Sequence, residues 1–182
     1  MSFPQPFNVL FLCTGNSARS ILAESVLRKI GDGRFNAFSA GSHPKGEVHP
    51  LAIETLRQAD YPVEGLRSKA WDEFGVPDAP RMDFVFTVCD QAAGEACPFW
   101  PGQPVTGHWG IEDPSHETRG DMWQRAAFRQ ALVYMENRIK AFVALPIHTL
   151  SRAALTAQVS DIGQFEGATS PRPDPTWLEG SS

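Results

Sequence analysis

Cys13 and Arg19 stand six positions apart in the stretch C-T-G-N-S-A-R, between an apolar run that ends at Cys13 and an amphipathic segment that begins at Ser17. A short polar turn with a glycine, opening a helix, can aim its backbone N–H groups inward at one tetrahedral oxyanion, and the helix dipole adds to their field. The same field lowers a thiol's pKa, so Cys13 is expected to be a thiolate at neutral pH and a competent nucleophile. Arg19 offers a planar fork for two equatorial oxygens, a geometry that lysine does not match. Taken singly, a cysteine at a strand end is a small buried hydrophobe, and an arginine near a helix start is a solvated charge. Their combination with Gly15, Asn16 and Ser20 at one strand–loop–helix junction points instead to an oxyanion loop, expected to comprise Thr14, Gly15, Asn16, Ser17, Ala18, Arg19 and Ser20.

Such a loop needs a sheet to hold it. Phe7 to Cys13 is continuously apolar and suits a buried parallel strand, and Ser17 to Ile30 follows with Ile21, Leu22, Val26, Leu27 and Ile30 at helical spacing. Phe35 to Ala40 reads as a second strand, Pro50 to Ala59 as a second helix with proline in its first turn, and Met82 to Cys89 as a third strand. A Gly- and Pro-rich stretch from Asp90 to Pro104 reads as a loop, a short strand enters HWGIEDP, and Trp123 to Leu145 is the longest amphipathic pattern. This alternation predicts an α/β fold, a three-layer sandwich around a central four-stranded parallel sheet with right-handed crossovers. Ligands of such sheets sit beyond the carboxyl ends of the strands, where both Cys13 and Cys89 fall. The main domain is expected to span residues 1–146. The remainder, 147–182, is expected to be a short helix within Thr149 to Ile162 and a mobile tail from Gly163, rich in Pro, Gly and Ser.

Composition narrows the setting further. At 182 residues and 42% hydrophobic, the chain supports one sizeable core. A net charge of -5 argues against a nucleic-acid partner, which would require a clustered excess of Lys and Arg. The amino terminus lacks the features of a signal peptide and no apolar run approaches a membrane span, so no membrane partner and a cytoplasmic location are expected. Three cysteines, an odd number, argue for reactive or buried thiols rather than a disulfide framework. His43, His49, His108, His116 and His148 show no metal-site spacing, and Cys89 with Cys97 would be a poor zinc pair, so neither a metal nor another cofactor is expected. Asp113 before Pro114 is, on its own, an ordinary turn former. Trp71, Trp100, Trp109 and Trp123 read as core or loop anchors rather than a partner surface.

Four segments, CTGNSARSILAE, FSAGSHP, FVFTVCDQAAGEACPFWPG and HWGIEDP, resemble in order and separation the low-molecular-weight tyrosine phosphatase fold, and within it the thiol-dependent arsenate reductases. The resemblance covers roughly residues 7–145. Phosphatases of the group carry aromatic residues after the second Asp-Pro, whereas Ser115 and His116 follow here. They also need no late thiol pair, and this chain has Cys89 and Cys97.

What the resemblance implies is reduction of arsenate to arsenite for arsenic detoxification. Cys13 would attack arsenic held by the loop and Arg19, with Asp113 as the acid that protonates a departing hydroxyl. Cys89 would then attack the Cys13 sulfur, expelling arsenite, and Cys97 would move the disulfide outward. Seven residues separate Cys89 from Cys97, one more than in the best-known relatives, and Ala18 stands where some relatives have a further cysteine. Thioredoxin is the expected donor, with glutaredoxin or another small-thiol system as the alternative. A potassium site of some relatives corresponds to Asn16, Glu24 and Ser39, but the acidic partner expected near Ser68 is replaced by Lys69, so potassium is not expected. The rival expectations are a phosphatase acting on aryl phosphates through Cys13, Arg19 and Asp113 alone, and a non-catalytic oxyanion-binding module.

Overall fold

The strand that leads to Cys13 is apolar on both faces, and a strand of that kind must be covered on both sides. In the computed structural model, which describes residues 4–94 and 100–169, this strand is β1, Phe7–Cys13, buried from Val9 onward. It lies between β2, Phe35–Gly41, and β3, Phe84–Thr87, and β4, Val105–His108, extends the far edge of β3. The four strands are parallel in the order β2-β1-β3-β4.

The pleat sends alternate side chains to different layers. Val9, Phe11 and Cys13 enter the larger core, shared with α1 (Arg19–Ile30), α2 (Pro50–Gln58), α4 (Asp121–Val143) and α5 (Arg152–Gly163). Leu10 and Leu12 enter a smaller core closed by Phe74, Met82, Val85 and Trp100. The expected three-layer α/β sandwich with a four-stranded parallel sheet is therefore present, although its second outer layer is built from a 3-10 turn at Trp71–Phe74 and connecting chain rather than from long helices.

Several boundaries differ from the sequence expectation for local reasons. The first helix begins at Arg19 rather than Ser17, because Thr14 to Ala18 are committed to the loop. The third strand is shorter than Met82 to Cys89, ending where its ladder with β1 ends at Leu12 and Thr87. A short helix, α3 (Asp90–Gly94), stands where a loop was expected. Its first turn is capped by the Cys89 thiol, whose Sγ accepts the Ala92 N–H at 3.3 Å, the position a serine or asparagine oxygen fills in ordinary caps.

The last helix is part of the main core. Ser151 caps it by accepting the Ala154 N–H at 3.1 Å, and Leu155, Val159 and Ile162 face inward. Trp109, fully buried, stacks on Phe86 at 3.9 Å and donates its indole N–H to the Val159 carbonyl at 2.8 Å. Gly163 passes so close to the His108 carbonyl that a Cβ there would collide with it. Residues 164–169 then return toward the sheet. The buried Arg138 guanidinium donates to the Phe165 and Glu166 carbonyls at 3.0 and 3.1 Å, and Ala168 forms an antiparallel bridge with Ile111. Of the expected tail, residues 170–182 lie outside the described residues. No helix among the described residues is long and apolar enough to cross a membrane.

Trp109→Phe keeps an aromatic ring but removes the donor that reaches α5. It should lower the unfolding free energy by about 1–3 kcal/mol, read as a reduced urea midpoint at unchanged slope. An unchanged midpoint would mean that α5 is not held through this bond.

Candidate active site

The loop after β1 is shaped from outside. The carbonyls of Cys13, Thr14, Gly15 and Ser17 accept the N–H groups of Ser42, His43, Lys45 and His49 at 3.2, 2.9, 3.0 and 2.9 Å. A trans peptide directs its C=O and the next N–H to opposite sides. Carbonyls committed outward therefore turn the N–H groups of Thr14, Gly15, Asn16 and Ala18 toward the interior of the loop. Asn16 takes a left-handed φ of 45° to close the turn. Gly41 lets the neighbouring strand pass close behind, since a Cβ there would strike the Thr14 carbonyl.

Asn16 is fully buried and anchors the loop through three bonds. Its Nδ2 donates to Ser20 Oγ and Ser39 Oγ, both at 2.9 Å, and its Oδ1 accepts the Lys69 N–H at 2.9 Å. Ser39 Oγ donates onward to Glu24 Oε1 at 2.9 Å. Glu24 is paired with Arg28 at 2.9 Å and with the buried Lys69 ammonium at 3.6 Å. Burial pulls the Lys69 pKa down, and the Glu24 charge opposes this. Thus Asn16, Glu24, Ser39 and Lys69, read together in the sequence, do meet, with the ammonium of Lys69 beside Glu24. Arg28 was not singled out, although its i, i+4 spacing from Glu24 on one helix was the available signal.

Cys13 and Cys89 lie against one another at the ends of adjacent strands. The Cys13 pKa is lowered to about 5, chiefly by a hydrogen bond from the Cys89 thiol. Burial opposes that shift, while the Arg19 charge, the Asn16 N–H and the Ser20 hydroxyl add to it. The Cys89 thiol is pushed up, first by its hydrogen bond to Cys13, then by burial and the Cys13 charge. Thr14 Oγ1 lies 3.5 Å from Cys89 Sγ and, with Arg19, acts in the other direction. The surroundings thus favour the charge on Cys13 and the proton on Cys89.

Arg19 is aimed by the opposite rim. Its Nη1 donates to the Ile111 carbonyl at 3.0 Å and its Nη2 to Asp113 Oδ2 at 3.3 Å, while the buried Nε has no hydrogen-bond partner. Asp113 Oδ1 accepts the Ser115 N–H and hydroxyl at 2.9 and 2.7 Å. Burial by itself would raise the Asp113 pKa; the Arg19 charge, the Ser115 bonds and His116 outweigh it and hold the carboxyl below its ordinary value. A cleft of about 760 Å³ opens over these groups, bordered also by His43, Lys45 and His116. No spacing in the sequence links His43 or Lys45 to the loop, whereas His116 follows Asp113-Pro114, where the resemblance places residues that wall the site. Of the candidate residues, Cys13, Arg19, Cys89 and Asp113 all line this cleft; Cys97 lies outside the described residues. Among the described residues, no group of three or more His, Cys, Asp and Glu side chains gathers in a way that could hold a metal ion.

Comparison with known proteins agrees with this fold. Residues 8–158 match the family described as low molecular weight phosphotyrosine protein phosphatase. An arsenate reductase of Oceanobacillus iheyensis is 34% identical over 134 residues, 74% of this chain and 93% of that protein. One from Bacillus licheniformis is 35% identical over 136 residues, with the same shares covered. The solved structure of an arsenate reductase in its phosphate-binding state superposes with a TM-score of 0.63 at 27% identity, covering 76% of this chain and 97% of that one.

The lowered Cys13 pKa gives a direct pH test. Below its pKa the sulfur is a protonated, unreactive thiol. The rate of Cys13 alkylation by iodoacetamide should therefore fall as pH drops through about 5, and should be nearly flat from there to neutrality. Phosphate or arsenate should protect the residue. A rate still climbing through the ordinary thiol range, about pH 8.5, and indifferent to either anion would contradict the assignment.

Proposed function

We propose that this chain, which belongs to the low molecular weight phosphotyrosine protein phosphatase family, reduces arsenate to arsenite through a thiol relay. One observation carries the reading: a second buried, free thiol, Cys89, lines the same cleft as the nucleophile and stands beside it at the ends of adjacent strands. Phosphate-ester hydrolysis makes no use of such a thiol, because water resolves its intermediate. Arsenate reduction requires two electrons, which two thiols supply by becoming a disulfide. The names of the relatives, arsenate reductases over nearly their whole length, support the same substrate.

The oxyanion is taken up by the inward N–H groups of the loop and by the Arg19 guanidinium. As a dianion binds, Arg19 turns part of its charge to it, and the added negative charge favours the protonated form of Asp113. Cys13 Sγ forms a bond to arsenic(V); one As–O bond breaks, and the oxygen leaves as water with the Asp113 proton. This step removes the negative charge from Cys13. The largest influence that holds Cys89 protonated thereby disappears, while Thr14 and Arg19 still favour its thiolate. Cys89 then attacks Cys13 Sγ: the S–S bond forms, the S–As bond breaks, and its electron pair stays on arsenic, which departs as arsenite carrying the Cys89 proton. Cys97 would attack Cys89 in turn: a Cys89–Cys97 bond would form, the Cys13–Cys89 bond would break with Cys13 returning as a thiolate, and the Cys97 proton would pass to solvent, from which Asp113 regains the one it gave up. A dithiol donor of the thioredoxin type would reduce the outward Cys89–Cys97 disulfide, supplying two electrons and two protons. On this reading the protein serves arsenic detoxification in the cytoplasm.

Hydrolysis of aryl phosphates by Cys13, Arg19 and Asp113 is expected as a weak side activity. The residues that follow Asp113 are Pro114, Ser115 and His116, with no Phe, Tyr or Trp among them to flank a phosphotyrosine ring.

Single Cys→Ser variants should stop at different stages. Cys13→Ser should leave arsenate untouched, and Cys89→Ser should release little arsenite yet retain any aryl-phosphate hydrolysis. Cys97→Ser should complete about one turnover per molecule and stop as a Cys13–Cys89 disulfide, identifiable by peptide mass mapping. Sustained arsenite production by Cys89→Ser would overturn the relay. Asp113→Asn should slow arsenate reduction about a hundredfold or more without loss of oxyanion binding; an unchanged rate would remove Asp113 from the proton transfer.

A further inference from the structure

One polar cluster borders the cleft and takes part in none of these steps. His108, at the end of β4, has Nδ1 2.7 Å from Thr87 Oγ1 and Nε2 2.7 Å from Asp90 Oδ1. Asp90 directly follows Cys89 and opens α3. The same Oδ1 accepts the Thr169 hydroxyl at 2.9 Å. Gly110 leaves the space where these groups meet: a Cβ there would lie 2.5 Å from Thr169 Oγ1 and 2.6 Å from both Asp90 Oδ1 and His108 Nε2. Thr169 is itself fixed, since its N–H donates to the Gly110 carbonyl at 3.0 Å and Ala168 bridges Ile111.

The placement matters because thiol exchange demands close, aligned sulfurs. α3 has five residues, too few to hold its own conformation without outside contacts. The Cys89 sulfur is engaged by the Ala92 N–H and Thr14, and Val88 before it is tied by backbone hydrogen bonds to Leu12 and Ile111, so on the side of α3 the outside hold on Cys89 falls to the next residue. Asp90 is that residue, gripped from one side by a strand end and from the other by the chain that follows α5. The family match ends at residue 158, so the Thr169 side of this grip comes from chain beyond the matched region.

We propose that His108 and Thr169, acting through the Asp90 carboxylate, are positioning residues that hold Cys89 within reach of Cys13, while oxyanion capture is left to the Cys13 loop. The inference rests on the reading that Cys89 attacks Cys13. It assigns to the carboxyl-terminal strap, 164–169, a part in the redox half of the reaction alone.

The test uses full-length protein carrying Cys97→Ser, so that exchange stops at Cys13–Cys89. Thr169→Val keeps the side chain's shape and removes its donor; Thr169→Ser restores the hydroxyl. The equilibrium between dithiol and Cys13–Cys89 disulfide is measured in dithiothreitol redox buffers without arsenate, alongside the rate of Cys13 alkylation. Thr169→Val should make the disulfide about tenfold harder to form, the loss of one hydrogen bond to a charged acceptor, and Thr169→Ser should recover most of it. Cys13 alkylation should stay within about twofold in both, because the loop is unaltered. An unchanged equilibrium in Thr169→Val, a failed rescue by Thr169→Ser, or an equal loss of Cys13 reactivity would overturn the inference. Single-turnover arsenite release by the Cys97→Ser parent separates the two ideas. A parent that releases one equivalent, with a Thr169→Val variant indistinguishable from it, sinks the strap alone; a parent that neither forms the disulfide nor releases arsenite sinks the relay, and the strap's role with it.

Discussion

The pairing of the Cys89 thiol with the Cys13 thiolate, which lowers the pKa of one sulfur and raises that of the other, is the interaction on which the site turns. An isolated buried thiolate would be expensive, because burial removes water from the charge. Here the charge is met by a thiol donor, the Asn16 N–H, the Ser20 hydroxyl and the nearby guanidinium of Arg19. One negative charge on two sulfurs also imposes an order of events. While Cys13 is anionic, Cys89 keeps its proton; once Cys13 is bonded to an electrophile, that restraint is lifted.

Much of the fold can be understood as what brings those sulfurs together and keeps them so. β1 and β3 are neighbours in parallel register, with Leu12 opposite Thr87, so the chain leaves both strands at the same edge of the sheet. A parallel arrangement is needed for this, and it requires apolar cover on both faces. The loop's outward carbonyls are satisfied by the chain after β2, and Asn16 ties the loop to Ser39 of β2 and to Lys69. Behind it the buried Glu24 is balanced by Arg28 and Lys69. Breaking such a pair exposes the protein to the cost of an uncompensated buried charge, which keeps the loop's support rigid.

What was legible in the sequence was mainly local. The apolar run to Cys13, the polar turn and the periodic segment after it announce a strand, a loop and a helix, because backbone pattern and turn chemistry are written in neighbouring residues. Asp113 could be placed at the site only through resemblance, since Asp-Pro is ordinary turn chemistry and its meeting with Arg19 depends on tertiary contact. The short helix after Cys89 is hard to see in the sequence, because two glycines and three prolines from Asp90 to Pro104 mark a loop and its cap is a thiol rather than a usual capping residue. The cluster of His108, Asp90 and Thr169 was invisible for a different reason. Its members are separated along the chain, and the one local sign, the small Gly110 beside His108 and Trp109, has meaning only once three elements converge there.

The most direct measurement of this account is the pKa of Cys13 with and without its donor, followed by the ultraviolet absorbance of the thiolate in wild type and in Cys89→Ala. Wild type should titrate near the value of about 5 that the surroundings of Cys13 dictate. Removing the largest stabilising contact should move the midpoint upward by at least a full pH unit, since about 1.4 kcal/mol corresponds to one unit and a hydrogen bond to a charged group contributes about that much or more. An unshifted midpoint in Cys89→Ala would contradict the central claim, because the loop and Arg19 would then hold the thiolate unaided and the paired sulfurs would not share a charge.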